Sequence, residues 1–160
     1  MHNKIIEITQ ILPSEISQDI GLLSGLGGQI LTCSELSLQN KISQEWLLRL
    51  HHVLEKKLSL EDFIFTHCSG LAGIGWLYEY LSQRKITDFD TNAFLEEFDS
   101  CLEKALKQFM LLANYDFLHG AVGVALYFTK RIAKKRGLVS VLNRFLDDLE
   151  KVSIKQKAIF

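Results

Sequence analysis

Two hydrophobic patterns alternate along this chain. Three short stretches are apolar nearly all the way round a helix: "LLSGLGGQIL" (22–31), "HCSGLAGIGWLY" (67–78) and "DFLHGAVGVALYF" (116–128). A helix greasy on every side has to be buried. Longer stretches carry one apolar stripe at helical spacing. "SQEWLLRLHHVLEKKLS" aligns Trp46, Leu47, Leu50, Val53, Leu54 and Leu58. "NAFLEEFDSCLEKALKQFMLLA" aligns Phe94, Phe98, Cys101, Leu102, Ala105, Phe109 and Leu112, and Leu142, Phe145, Leu146 and Leu149 continue the pattern. Helices of this second kind cover a core on one side and meet water on the other. The spacing predicts buried and amphipathic helices in alternation.

Each buried stretch opens with G-x-x-G: Gly25/Gly28, Gly70/Gly73 and Gly120/Gly123. The first glycines are 45 and then 50 positions apart. That period predicts a repeat array with one helix pair per repeat. The expected fold is all-α, an α/α toroid of inner and outer helices with about three repeats, in a single domain over 1–160. The glycines are expected where inner helices crowd together. There a missing side chain permits close approach and positive φ in the preceding turn, with free N–H groups pointing into the centre.

Composition narrows the function classes. The chain has 160 residues, 48% of them apolar and 23% charged, with a net charge of -1. That balance gives no pull toward nucleic acid or an anionic membrane. No apolar run reaches transmembrane length, and the acidic N-terminus "MHNKIIEITQILPSEIS" lacks a signal-peptide core, so the expected compartment is the cytoplasm. Cys33, Cys68 and Cys101 are odd in number and widely spaced, unlike a disulfide framework. Cys33 and Cys101 fall on helix stripes and read as core. His51 and His52 lie on an amphipathic helix, with at least one expected on its polar face. Trp46 and Trp76 read first as packing residues. "KRIAKKR" (130–136) reads as a solvated helix end that complements the dipole.

The stretches "SGLGGQIL", "HCSGLAGIGWLYEYL" and "NYDFLHGAVGVALYF" together resemble the lanthionine synthetase C-like family, the lanthipeptide cyclases, over roughly residues 15–150. The third stretch is the most specific, because members carry Tyr-Asp shortly before G-x-x-G, as Tyr115-Asp116 precede Gly120. The resemblance implies a double α-toroid in a longer protein, of which this chain is the N-terminal part. It implies Michael-type addition of a peptide cysteine thiol to dehydroalanine or dehydrobutyrine, with zinc holding the thiol as thiolate. A free thiol, with a pKa of about 8.5, is mostly protonated at neutral pH. The implied partners are a precursor peptide with cysteine and dehydrated Ser/Thr, and a dehydratase.

The family's zinc ligands lie in Trp-Cys-x-Gly and Cys-His-Gly contexts, and Cys-His-Gly does not occur in this chain. The chain is therefore expected to hold no zinc and to be inactive by itself. The one active-site match is Asp116, expected to orient a histidine beyond residue 160 or to polarise the substrate; as an alternative it caps the third inner helix. His119 is a second catalytic candidate, and Tyr115 and Trp76 are candidates for substrate binding. Cys68 and His119 stand at the ligand offsets of the family's late repeats and, with His67 and Asp116, are candidates for a makeshift zinc site.

Two further functions compete. One is a helical module that binds a peptide or protein without chemistry. The other is a carbohydrate-active toroid, which needs two carboxylates flanking a sugar, with Glu79 as second to Asp116. "KVSIKQKAIF" shows no obvious capping helix, so open inner-helix faces predict self-association.

Overall fold

The computed structural model describes Glu7 and residues 15–58, 64–87 and 90–157, with side chains to Val152. Pro13 and most of the acidic N-terminal stretch lie outside the described residues. So do 59–63, 88–89 and 158–160.

Seven α-helices make up the described chain. They are α1 (Leu26–Ser37), α2 (Gln44–Leu58), α3 (Leu71–Gln83), α4 (Thr91–Phe94), α5 (Glu96–Leu111), α6 (Ala121–Arg131) and α7 (Val139–Lys157). A 3-10 turn, Arg136–Leu138, leads into the last. No strand occurs among the described residues, and no helix among them is long and apolar enough to cross a membrane.

Burial separates the helices as the hydrophobic pattern predicts. α3 buries nine of its 13 residues, whereas α2 buries three of its 15. The inner helices α1, α3 and α6 pack in a row, α3 between the other two. α2 lies on α1, α5 on α6 and α3, and α7 on α6 and α5. Leu26, Ile30, Leu50, Leu54, Ile74, Leu77 and Leu81 form the core at one end of the row; Leu102, Ala121, Val124 and Phe128 form the other. Each of these Leu, Ile, Val and Phe side chains contributes about 1.5–3 kcal/mol of burial. Where α3 meets α6, a Cβ on Gly75 would overlap the Tyr127 ring.

Several expectations need correction. The stripe beginning at Asn92 is not one helix, because the chain breaks at Leu95 between α4 and α5. Asp90 accepts a hydrogen bond from the Asn92 amide (2.8 Å) and starts the short α4. Cys101 is exposed rather than core, and so are Leu112 and Leu146. The buried face of α5 instead runs through Asp99, Leu102, Ala105 and Leu106. A charged residue at a core position rotates the stripe away from where hydrophobicity alone puts it. The C-terminal stretch, expected to lack a capping helix, is helical as far as Lys157.

The basic run is only in part a solvated helix end: Lys134 and Arg136 are exposed. Arg131 is fully buried. Its guanidinium donates to Glu79 and Asp99, each at 3.1 Å, and to Asn92 Oδ1 at 2.7 Å. Lys134 and Lys135 close the cluster on Glu79 (3.4 Å) and Asp99 (3.1 Å). Tyr127 donates to Asp99 at 2.5 Å. Burial, then that bond, push the Tyr127 phenol far above its ordinary range. The break at Leu95 brings Thr91 into the same network, where its hydroxyl donates to Glu79 at 3.1 Å. A buried charge is tolerated only when paired in this way.

Candidate functional site

The three inner helices begin with one repeated loop. The residue after the first glycine donates its amide to a carbonyl seven positions back: Leu26 to Asp19 (2.8 Å), Leu71 to Ile64 (2.9 Å) and Ala121 to Asn114 (2.9 Å). Gly25, Gly70 and Gly120 are the N-caps, with φ of -127°, -135° and -142°. None of these glycines has positive φ; among the described residues that conformation falls on Asn40, Lys85 and Ala113. The glycines serve close approach instead. A Cβ on Gly28, Gly73 or Gly123 would strike the carbonyl oxygen of Leu22, His67 or Phe117, six positions back each time. The first amide of each inner helix is therefore used by a loop carbonyl rather than left free; in α1, Gly27 and Gly28 also donate, to Ile20 and Gly21.

The loops are stitched to one another. Leu23 donates its amide to the Cys68 carbonyl (3.1 Å), and Cys68 donates its own to the Leu118 carbonyl (3.1 Å). These three residues hold the same position, two before the first glycine of their repeats. The His67 amide also reaches the Leu118 oxygen, at 3.1 Å.

This stitching sets Cys68 against His119. The thiol Sγ lies 3.0 Å from His119 Nε2, and His119 Nδ1 lies 3.4 Å from Asp116 Oδ1. The thiol also contacts Ser69 Oγ at 3.0 Å. Cys68 is 6% exposed, whereas the side chains of His119 and Asp116 are 62% and 55% exposed. Asp116 Oδ1 accepts from the amides of His119 (2.6 Å) and Leu118 (2.8 Å). The His119 amide above all, and then that of Leu118 with the imidazole, hold its carboxyl below the usual range. Asn114 braces the same turn by donating to the His119 carbonyl (3.1 Å).

These contacts locate Asp116. It faces a histidine of this chain, His119, across 3.4 Å. It does not cap α6, since Gly120 holds that position without a side-chain cap; it ties the turn three residues earlier. Glu79 does not serve as its second carboxylate for sugar chemistry, because it is fully buried on Arg131. Glu79 also sits nine residues beyond the α3 cap, roughly 13 Å along the helix.

The makeshift zinc site is only half assembled. Cys68 and His119 meet, but Asp116 lies at the other nitrogen of the same ring, so the three run in a line rather than converging. His67 is buried and turned away, with its ring centre 6.0 Å from that of Trp76 and 5.6 Å from that of Phe117. Among the described residues no three His, Cys, Asp or Glu side chains form a group that holds a metal.

Tyr115 is half-buried beside Asp116. Trp76 stacks on Tyr80 at 5.3 Å, with Lys130 Nζ 5.7 Å from its ring. Of the two neighbouring histidines on α2, His52 is exposed and His51 meets the Tyr78 hydroxyl at 3.0 Å. Compared with known proteins, the chain matches no family model, no curated protein and no solved structure.

The residues missed in the sequence are Ser69, Asn114 and the loop carbonyls. The carbonyls that recur six before the first glycines belong to Asp19, Ile64 and Asn114, which share no side-chain type, so the sequence carried no signal for them.

Proposed function

We propose that this chain is the N-terminal part of a lanthionine synthetase C-like protein, its helix pairs the opening segment of an α/α toroid. In this reading its loop face receives a precursor peptide bearing cysteine and dehydrated Ser/Thr, and a dehydratase supplies that peptide. The observation that carries the proposal is the loop geometry repeated at Gly25, Gly70 and Gly120, with Tyr115-Asp116 in the third copy. Thioether formation needs a thiolate. The family's zinc ligands are not among these residues, so the chain contributes binding and Asp116 while the metal chemistry belongs to residues outside it. The compartment that fits this role is the cytoplasm.

The test combines binding with thiol counting. A peptide carrying one cysteine and one dehydroalanine is mixed with the chain. The expected result is saturable binding with the peptide thiol still free to alkylation. Absence of binding would overturn the proposal.

A second reading, a peptide- or protein-binding module without chemistry, is favoured by one observation. Leu23, Ile64, Phe117 and Leu118 expose apolar surface on the loops. Equal binding of a peptide without dehydroalanine and cysteine would select that reading. Self-association, expected through open inner-helix faces, would appear as a concentration-dependent mass in light scattering.

A further inference from the structure

We infer that Cys68 is a base-activated nucleophile of this chain and a site of covalent addition to α,β-unsaturated carbonyl compounds. The inference stands on the geometry of three side chains and does not need the cyclase reading, in which the reacting thiol belongs to the peptide.

The thiolate is the nucleophilic form of cysteine, so the thiol needs a base in reach. His119 Nε2 is 3.0 Å from Sγ, within transfer distance. A base works best when its other nitrogen is held. Asp116 Oδ1 faces Nδ1 at 3.4 Å and is fixed by two backbone amides. Nucleophile, base and orienting carboxylate come from two loops that the Cys68-to-Leu118 backbone bond locks together. The thiol is covered, but the imidazole edge above it is open, flanked by the exposed Phe117 and Leu118.

The backbone around Cys68 selects the substrate class. Acyl transfer needs free N–H donors to hold an oxyanion. Here the amides of His67 and Cys68 are both given to the Leu118 carbonyl. Those of Leu118 and His119 are given to Asp116, and that of Ser69 to Thr66 Oγ1. Conjugate addition also puts charge on a carbonyl oxygen, as an enolate, but that oxygen lies three bonds from the carbon that sulfur attacks and can be met by water over the open imidazole. The thiol proton moves to His119 Nε2, and Sγ bonds to the β-carbon as the C=C π bond breaks. The electron pair passes to the α-carbon, which takes the proton back from Nε2. The sum is addition of S–H across the double bond, with no oxidant or reductant.

Alkylation of the whole chain by limiting N-ethylmaleimide, followed by peptide mapping, tests this. Cys101 is an exposed reference thiol and Cys33 a buried one. The expected result is that Cys68 reacts about tenfold or more faster than Cys101, despite its burial. His119→Gln removes that advantage while Cys101 keeps its rate, and Asp116→Asn lowers it several-fold. Cys33 stays protected in any variant that remains folded. If His119→Gln unfolds, the wild-type ratio and Asp116→Asn still decide. Cys68 reacting more slowly than Cys101, or at a rate indifferent to His119, would overturn the inference.

Discussion

The amide of Cys68 donates to the carbonyl of Leu118 at 3.1 Å, and Leu23 makes the same bond to Cys68 one repeat earlier. Two backbone bonds at equivalent positions hold three loops in register, and they depend on glycines that let each loop cross its own helix. Gly73→Ala would drive a methyl group into the His67 carbonyl. The expected cost is about 1–3 kcal/mol, typical of overpacking, read as a lower urea midpoint. Gly137 has open space around it, so Gly137→Ala should change the midpoint little.

The Arg131 cluster makes a larger prediction. Arg131 and Glu79 are fully buried and Asp99 is nearly so. Arg131→Leu strands two carboxylates without their main partner. Breaking a buried pair this way costs about 3–5 kcal/mol, enough to unfold many domains of this size. Circular dichroism melts check it. Replacing Glu79 and Asp99 by Gln and Asn in the same chain should recover part of the loss.

Stability should fall on mild acidification. Burial holds His51 and His67 below the ordinary imidazole range. Above about pH 6.5 folded and unfolded forms are both neutral and nothing is lost. As pH drops through that value the unfolded chain binds protons that the folded chain refuses, so stability declines until the folded pKa is reached. Urea midpoints at pH 7.5 and 5.5 should show the drop, and His67→Phe should shrink it.

Asp116 has the opposite kind of shift in a more exposed place. Its carboxyl is held low by the His119 and Leu118 amides, so its contribution is complete above the ordinary carboxylate pKa. That contribution is lost as pH falls through the folded value. Hydrogen exchange at the Leu118 and His119 amides should accelerate in Asp116→Ala at neutral pH, while amides in α3 keep their protection.

The helix layers were legible because burial on all sides and burial on one side leave different hydrophobic periods. The pairing of Cys68 with His119 was half legible: their offsets from Gly70 and Gly120 marked them, but not which loop lies beside which. That depends on backbone bonds, which side-chain types do not encode. The Arg131 network was hidden because Asp99 and Glu79 look like surface residues until a buried cation answers them. Positive φ was expected at the glycines for their freedom, but these positions are set by space, and the conformation fell to Asn40, Lys85 and Ala113.

The most direct measurement for the proposed role is calorimetric titration of a peptide bearing cysteine and dehydroalanine into the wild-type chain and into Phe117→Asp. Phe117 is half-exposed on the third loop, where a charge should leave the fold intact. Saturable binding to the wild type, weakened about tenfold or more by the substitution (about 1.4 kcal/mol), is the predicted result. Binding unaffected by Phe117→Asp, or no binding at all, would contradict a peptide-receiving loop face.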